Sequence, residues 1–169
     1  MYEMQSFAVL SSPAYAERLN NPTPWSTRMM PHHSRMVRSQ CRVLASAGGG
    51  VARHALTLRL SPASGRDEAL RAHLAGLVQT LALRAGLTGA HLLRHETPPI
   101  GPTQEQKIRG TADQVADWVL VVTGYDQATV AAAGANELAE ATLAAQGAAH
   151  GPVQGLYTVA YSATPGDVA

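Results

Sequence analysis

ARHALTLRL, residues 52–60, and DWVLVVTGY, residues 117–125, decide how the chain folds. In the first, His54, Leu56, Leu58 and Leu60 fall on one side of a strand and Ala55, Thr57 and Arg59 on the other, because successive side chains of a strand point to opposite faces. In the second, Val119 and Val121 point one way and Trp118, Leu120 and Val122 the other. A strand that is apolar on both sides belongs in a sheet with both faces covered.

Outward from these two strands the pattern stays regular. Residues 61–65 read as a turn. Residues 66–86 read as a helix, with Leu70, Leu74, Leu77 and Leu81 at three- and four-residue spacing and Gly86 as its stop. GAHLLRHE, 89–96, is a second strand, and the Pro- and Gly-rich stretch 98–110 a loop. An Ala-rich helix over 127–147 and a last strand, GLYTVAYSA over 155–163, complete the order β-α-β, β-α-β. This is an α+β fold with the split βαβ arrangement of ferredoxin-like domains. The right-handed crossover rule orders its four strands 4-1-3-2, with both helices on one face and the second strand, 89–96, at an edge. The apolar second face then needs a cover, and a second sheet is its natural partner.

The segment before Gly48-Gly49-Gly50 repeats only part of this plan. Residues 1–5 read as the end of a strand. Ser12 and Pro13 start a helix running to about Asn20, since serine caps and proline suits the first turn. Thr23 to Met30 adds a turn or two, and Trp25 between Pro22 and Pro24 reads as a hydrophobic plug. MVRSQCRVLAS, 36–46, is a strand with Cys41 as a core filler. The expected organisation is a partial repeat over 1–47, a glycine joint over 48–51, a complete repeat over 52–163 and a tail over 164–169. Met1 falls inside a strand, so the expectation is that the natural coding sequence starts further upstream.

Composition bounds the chemistry. The 169 residues are 46% hydrophobic and 15% charged, with a net charge of +1, so a core forms and no general pull toward nucleic acid or membrane exists. The charge is uneven: residues 1–60 hold Arg18, Arg28, Arg35, Arg38, Arg42, Arg53 and Arg59 against Glu3 and Glu17. Cys41 is the one cysteine, which excludes an intramolecular disulfide and a multi-cysteine metal site. No signal peptide and no run of 18 apolar residues is visible, and the expectation is a cytoplasmic protein. Phosphate-loop, HExxH, GxSxG and dinucleotide fingerprints are absent.

The stretch LSSPAYAERLNNPTPWSTRMMPH (10–32), the segment TQEQKIRG (103–110) with the following DWVLVVTGYD (117–126), and the closing GLYTVAYSA resemble a bacterial group of tandem dimeric α/β-barrel proteins whose function is not established. The resemblance implies two fused ferredoxin-like repeats, of which this chain lacks the first β-α-β, and a homodimer. The wider superfamily includes antibiotic-biosynthesis-type monooxygenases, muconolactone isomerases, polyketide cyclases, EthD-like proteins and haem-containing peroxidases. It therefore implies fold more strongly than function.

In such barrels the candidates for chemistry are strand residues with polar tips. His91 and His95 share a face of their strand, but four residues span about 13 Å, too far to hold one metal directly. Either alone is a candidate acid–base group, set against a hydrogen-bonded edge histidine. Tyr157 and Tyr161 share a face of the last strand and are candidates to donate to a carbonyl or phenolate oxygen, set against rim tyrosines that fill a barrel. Arg59 projects from a central strand on the side away from the leucines. An arginine on a buried sheet face needs an acid partner or a ligand anion. His32-His33 reads as surface loop. Two functions follow. One is a small cofactor-independent enzyme of monooxygenase, isomerase or cyclase type, acting on an aromatic or polyketide-like substrate. The other is a non-catalytic small-molecule-binding or assembly protein. No cofactor or metal is expected, and haem stands as the alternative.

Overall fold

The computed structural model describes residues 4–33, 36–98, 101–110 and 114–163. Along the chain its elements are α1 (Pro13–Asn20), α2 (Pro24–Met29), β1 (Cys41–Gly48), β2 (His54–Leu60), α3 (Asp67–Ala82), β3 (Leu87–His95), α4 (Gln104–Arg109), β4 (Trp118–Gly124), α5 (Gln127–Ala135), α6 (Glu140–Ala145) and β5 (Val153–Thr158). They divide into two compact units, one drawn from residues 1–42 and 95–116, the other from 43–94 and 117–169.

The first unit is helical. Ser12 caps α1 through the Tyr15 amide with Pro13 in the first turn, as the sequence expects, and Thr23 caps α2 through the Ser26 amide. Among the described residues its buried apolar side chains are Leu10, Leu19, Met30 and Ala116. The segment 98–110 is not all loop. Thr103 and Gln106 form a reciprocal capping box that starts α4, and Gly110 ends it at φ 69°, in the left-handed region glycine tolerates. Trp25 is no plug: it is 70% exposed, because α2 buries none of its six residues. Met4 and Gln5 are not in a strand, and the rest of the strand expected over 1–5 lies outside the described residues.

The second unit is a five-stranded antiparallel sheet in the order β1-β3-β4-β2-β5, under helices on one face. Its last four strands have the order the crossover rule gives. Leu58 lies opposite Leu120, Leu56 opposite Val122 and Leu60 opposite Trp118, so one face collects the large apolar side chains. α3 lays Leu70, Leu74, Val78 and Leu81 on that face, while Val130 and Ala133 of α5 and Leu143 of α6 cover its other end. Asp67 and Glu68 in the first turn of α3 complement the positive end of the helix dipole. Burying each leucine contributes about 1.5–3 kcal/mol.

Three boundaries differ from the sequence reading. The helix expected over 127–147 breaks after Ala135. Leu138 turns into the core at the break and is fully buried. The carbonyls freed there are taken up by side chains: Gln154 Nε2 donates to Gly134 O at 3.0 Å and to Leu138 O at 2.7 Å, and Thr142 Oγ1 to Asn136 O at 3.0 Å. A break satisfied by side chains from elsewhere in the fold leaves no local periodicity to read. β5 ends at Thr158, which leaves Tyr161 outside the strand. The N-terminal strand is Cys41–Gly48, so Gly48 closes β1.

That strand also corrects the edge. β3 is flanked by β1 on one side and β4 on the other, so His91 is on an interior strand. Gly49 and Gly50 both donate their amides to Thr88 O, at 3.0 and 3.4 Å. Gly48, at φ 83°, comes so near that a Cβ there would stand 2.3 Å from Thr88 O. Only glycine allows that approach.

Leu58→Ala is expected to lower unfolding free energy by about 2–5 kcal/mol, because the side chain is fully buried between sheet and helices. Val153→Ala on the other face is expected to stay within about 0.5 kcal/mol. Urea denaturation followed by circular dichroism measures both.

Candidate functional site

The face of the second unit's sheet turned away from α3, α5 and α6 carries most of the candidate residues. Cross-strand register sorts them into rows. Gly89, Thr123, Ala55 and Tyr157 form one row, His91, Val121, Thr57 and Gly155 the next, and Leu93, Val119, Arg59 and Val153 the third. None of these side chains belongs to the main core cluster. The expectation of two buried faces holds throughout the helix-covered face and on this one only in part. Val121 is 4% exposed and Gly89 is buried, but Val153 is 48% and Tyr157 57% exposed, and the remaining residues are half-buried.

Two glycines shape this surface. A Cβ on Gly89 would stand 3.2 Å from His91 Nε2 and 3.4 Å from Thr123 Oγ1. The imidazole thus lies back along its own strand over the glycine two residues before it. Gly155 does the same for Tyr157, whose Oη stands 2.5 Å from where a Cβ would be. A ring folded over a strand glycine covers exposed backbone. Here it also turns two ring edges flat against the sheet and brings the phenol oxygen into the row of Thr57. The signal was present in the sequence as G-x-H at 89–91 and G-x-Y at 155–157, since residues two apart share a face.

The polar groups on this face divide into satisfied and open ones. Thr88 Oγ1 donates to Thr123 Oγ1 at 3.0 Å, and Thr123 Oγ1 donates to Gly89 O at 3.3 Å. Asp117, one row beyond Val119, accepts a short hydrogen bond from Ser61 Oγ. His91 Nδ1 meets Ser46 Oγ at 2.8 Å, which fixes the ring. Among the described residues, His91 Nε2, Thr57 Oγ1, Tyr157 Oη and the Arg59 guanidinium have no hydrogen-bond or ion-pair partner. His91 and Thr57 flank Val121 and Arg59 flanks Val119, while Tyr157 lies one strand further out on β5. An imidazole held through one nitrogen presents the other as a base or an acid, depending on which partner of the Ser46 contact donates.

His91 and Tyr157 stand three strand spacings apart, about 14 Å, so they do not act on one atom. Arg59 lies two strands and one row from His91, about 12 Å between Cα positions. Ser46, Thr57 and the two glycines are the site residues that sequence reading did not single out.

The other candidates sit elsewhere. His95 belongs to the first unit, where Nδ1 contacts Gln40 O at 3.0 Å and Nε2 contacts Thr97 Oγ1 at 3.3 Å. With both nitrogens engaged it reads as a structural residue. Tyr161, beyond the end of β5, is 76% exposed. Cys41 opens β1 half-buried, and burial pushes its thiol up from the usual range, which disfavours a reactive thiolate. In the same unit Arg42 pairs with both carboxylate oxygens of Glu96, at 2.8 and 2.9 Å, and stacks over Phe7 at 5.1 Å. Among the described residues no three His, Cys, Asp or Glu side chains gather to hold a metal, and no helix is long and apolar enough to cross a membrane.

Comparison with known proteins gives no match to any family model, any curated protein or any solved structure.

Ser46→Ala is expected to release the His91 ring. In the neutral imidazole the two ring-nitrogen shifts should move from values typical of one tautomer toward the average of free histidine. His95 is the internal control, because a carbonyl only accepts and so holds the proton on Nδ1. Long-range nitrogen–proton correlation spectra measure both. An unchanged His91 would show that Ser46 does not hold the ring.

Proposed function

We propose that the second unit is a ferredoxin-like repeat of the dimeric α/β-barrel type, whose open sheet face binds a small aromatic or polyketide-like molecule and exchanges a proton with it through His91. The strand order β3-β4-β2-β5 and the packing of the helices on one face support the fold reading. In that fold type a second sheet closes over such a face. The proposal therefore carries a homodimer with it, and the ligand lies between the two sheets.

The observation that carries the function is the state of His91. Its ring is fixed through Nδ1, its Nε2 is open, and it borders an apolar patch that no helix of its unit covers. An apolar floor with few open polar groups is the usual make-up of a small-molecule site. Isomerisation or cyclisation of a carbonyl compound needs a base to take a proton from carbon and an acid to return one, and one imidazole serves both steps. Tyr157 Oη and Thr57 Oγ1 are the donors available to a ligand oxygen.

A screen of small aromatic acids, phenols and β-dicarbonyl compounds, followed by amide and methyl shifts, tests the reading. Ligands that bind are expected to perturb Thr57, His91, Val119 and Val121 together. In deuterated water, an acidic carbon-bound proton of the ligand is expected to exchange faster with the wild type than with His91→Ala. Binding without exchange leaves a binding protein and removes the catalytic part. No perturbation of this face by any compound removes the reading.

A further inference from the structure

We infer that the ligand of the open sheet face is a monoanionic carboxylate whose charged group pairs with Arg59, an inference that rests on that face being a binding surface. Arg59 is the only residue of the three rows that carries a formal charge. It sits between Val119 and Val153 and is half-buried, yet it makes no ion pair or hydrogen bond among the described residues. The nearest acid by register is Asp117, and its carboxylate is engaged by Ser61. Asp117 meets Ser61 and not Arg59, so in this structure no acid of the face pairs with the guanidinium.

A guanidinium beside two valines is poorly hydrated and becomes costly once any body lies over it, unless that body brings an anion. Its planar fork matches a carboxylate through two parallel hydrogen bonds. A phosphate is a poorer fit, since its extra charge and oxygens call for further cations or backbone amides, and besides Arg59 the groups without a partner in these rows are His91 Nε2, the Thr57 hydroxyl and Tyr157 Oη. With the carboxylate at Arg59, the apolar body lies over Val119 and Val121 and runs toward His91, about 12 Å away between Cα positions.

The test compares 2-naphthoate with 2-naphthamide, which share a shape and differ in charge. Binding is measured by calorimetry and amide shifts on the full chain, for wild type, Arg59→Gln and Arg59→Lys. Wild type is expected to bind the acid about tenfold or more tighter than the amide, the range of a charge-assisted hydrogen bond. Arg59→Gln is expected to erase the difference while keeping amide binding, which also verifies that the variant folds. Arg59→Lys is expected to restore part of it. Equal affinity for acid and amide in wild type, or a preference that survives Arg59→Gln, overturns the inference and leaves the binding face standing. Failure of both compounds to perturb the face overturns the inference and the binding reading together. A dimer that Arg59→Gln dissociates and naphthoate does not affect would assign Arg59 to a second copy's carboxylate and also overturn it.

Discussion

Leu58 opposite Leu120, at the centre of the β2–β4 pair, is the contact on which the second unit depends. Both side chains are fully buried, and the register that joins them aligns Leu56 with Val122 and Leu60 with Trp118 on the same face. α3, α5 and α6 have one apolar surface to cover and cover that one. Slipping the register by one residue would turn Val119 and Val121 toward the helices and put the leucines of β2 opposite the wrong neighbours. The bare face is thus a consequence of the same pairing that builds the core.

What the bare face presents follows from smaller choices. Glycines at 89 and 155 let His91 and Tyr157 lie flat along their strands, and Ser46 fixes the imidazole through one nitrogen. Thr123 and Asp117 have hydrogen-bond partners within the protein, whereas among the described residues His91 Nε2, Thr57, Tyr157 and Arg59 have none. The proposed binding role rests on that contrast and on the ring held beside a buried valine.

Much of this was legible in the sequence, and the failures have physical causes. Alternation marked β2, an unbroken apolar run marked β4, and the leucine spacing marked α3. The helix over 127–147 looked continuous because alanine favours helix on either side of its break, while the force that breaks it is the burial of Leu138 and the reach of Gln154. β1 and its covering of β3 depend on the backbone approach of Gly48 to Thr88, which no periodicity encodes. α4 was missed although its start, Thr103 to Gln106, spells a capping box, because flanking proline and glycine suggested loop. For the site, Arg59 and His91 were legible from strand parity. His95 and Tyr161 shared that parity; Tyr161 falls beyond the end of β5, and His95, the last residue of β3, has both ring nitrogens engaged by Gln40 and Thr97.

The most direct test of the account is the cross-strand register itself. Nuclear Overhauser contacts in the isotope-labelled chain should join Leu58 to Leu120 and Thr57 to Val121, which would put His91, Thr57 and Arg59 on the face opposite the helices. Contacts displaced by one residue, joining Leu58 to Val121, would contradict it, since the leucines and the candidate site would then no longer lie on opposite faces of one sheet.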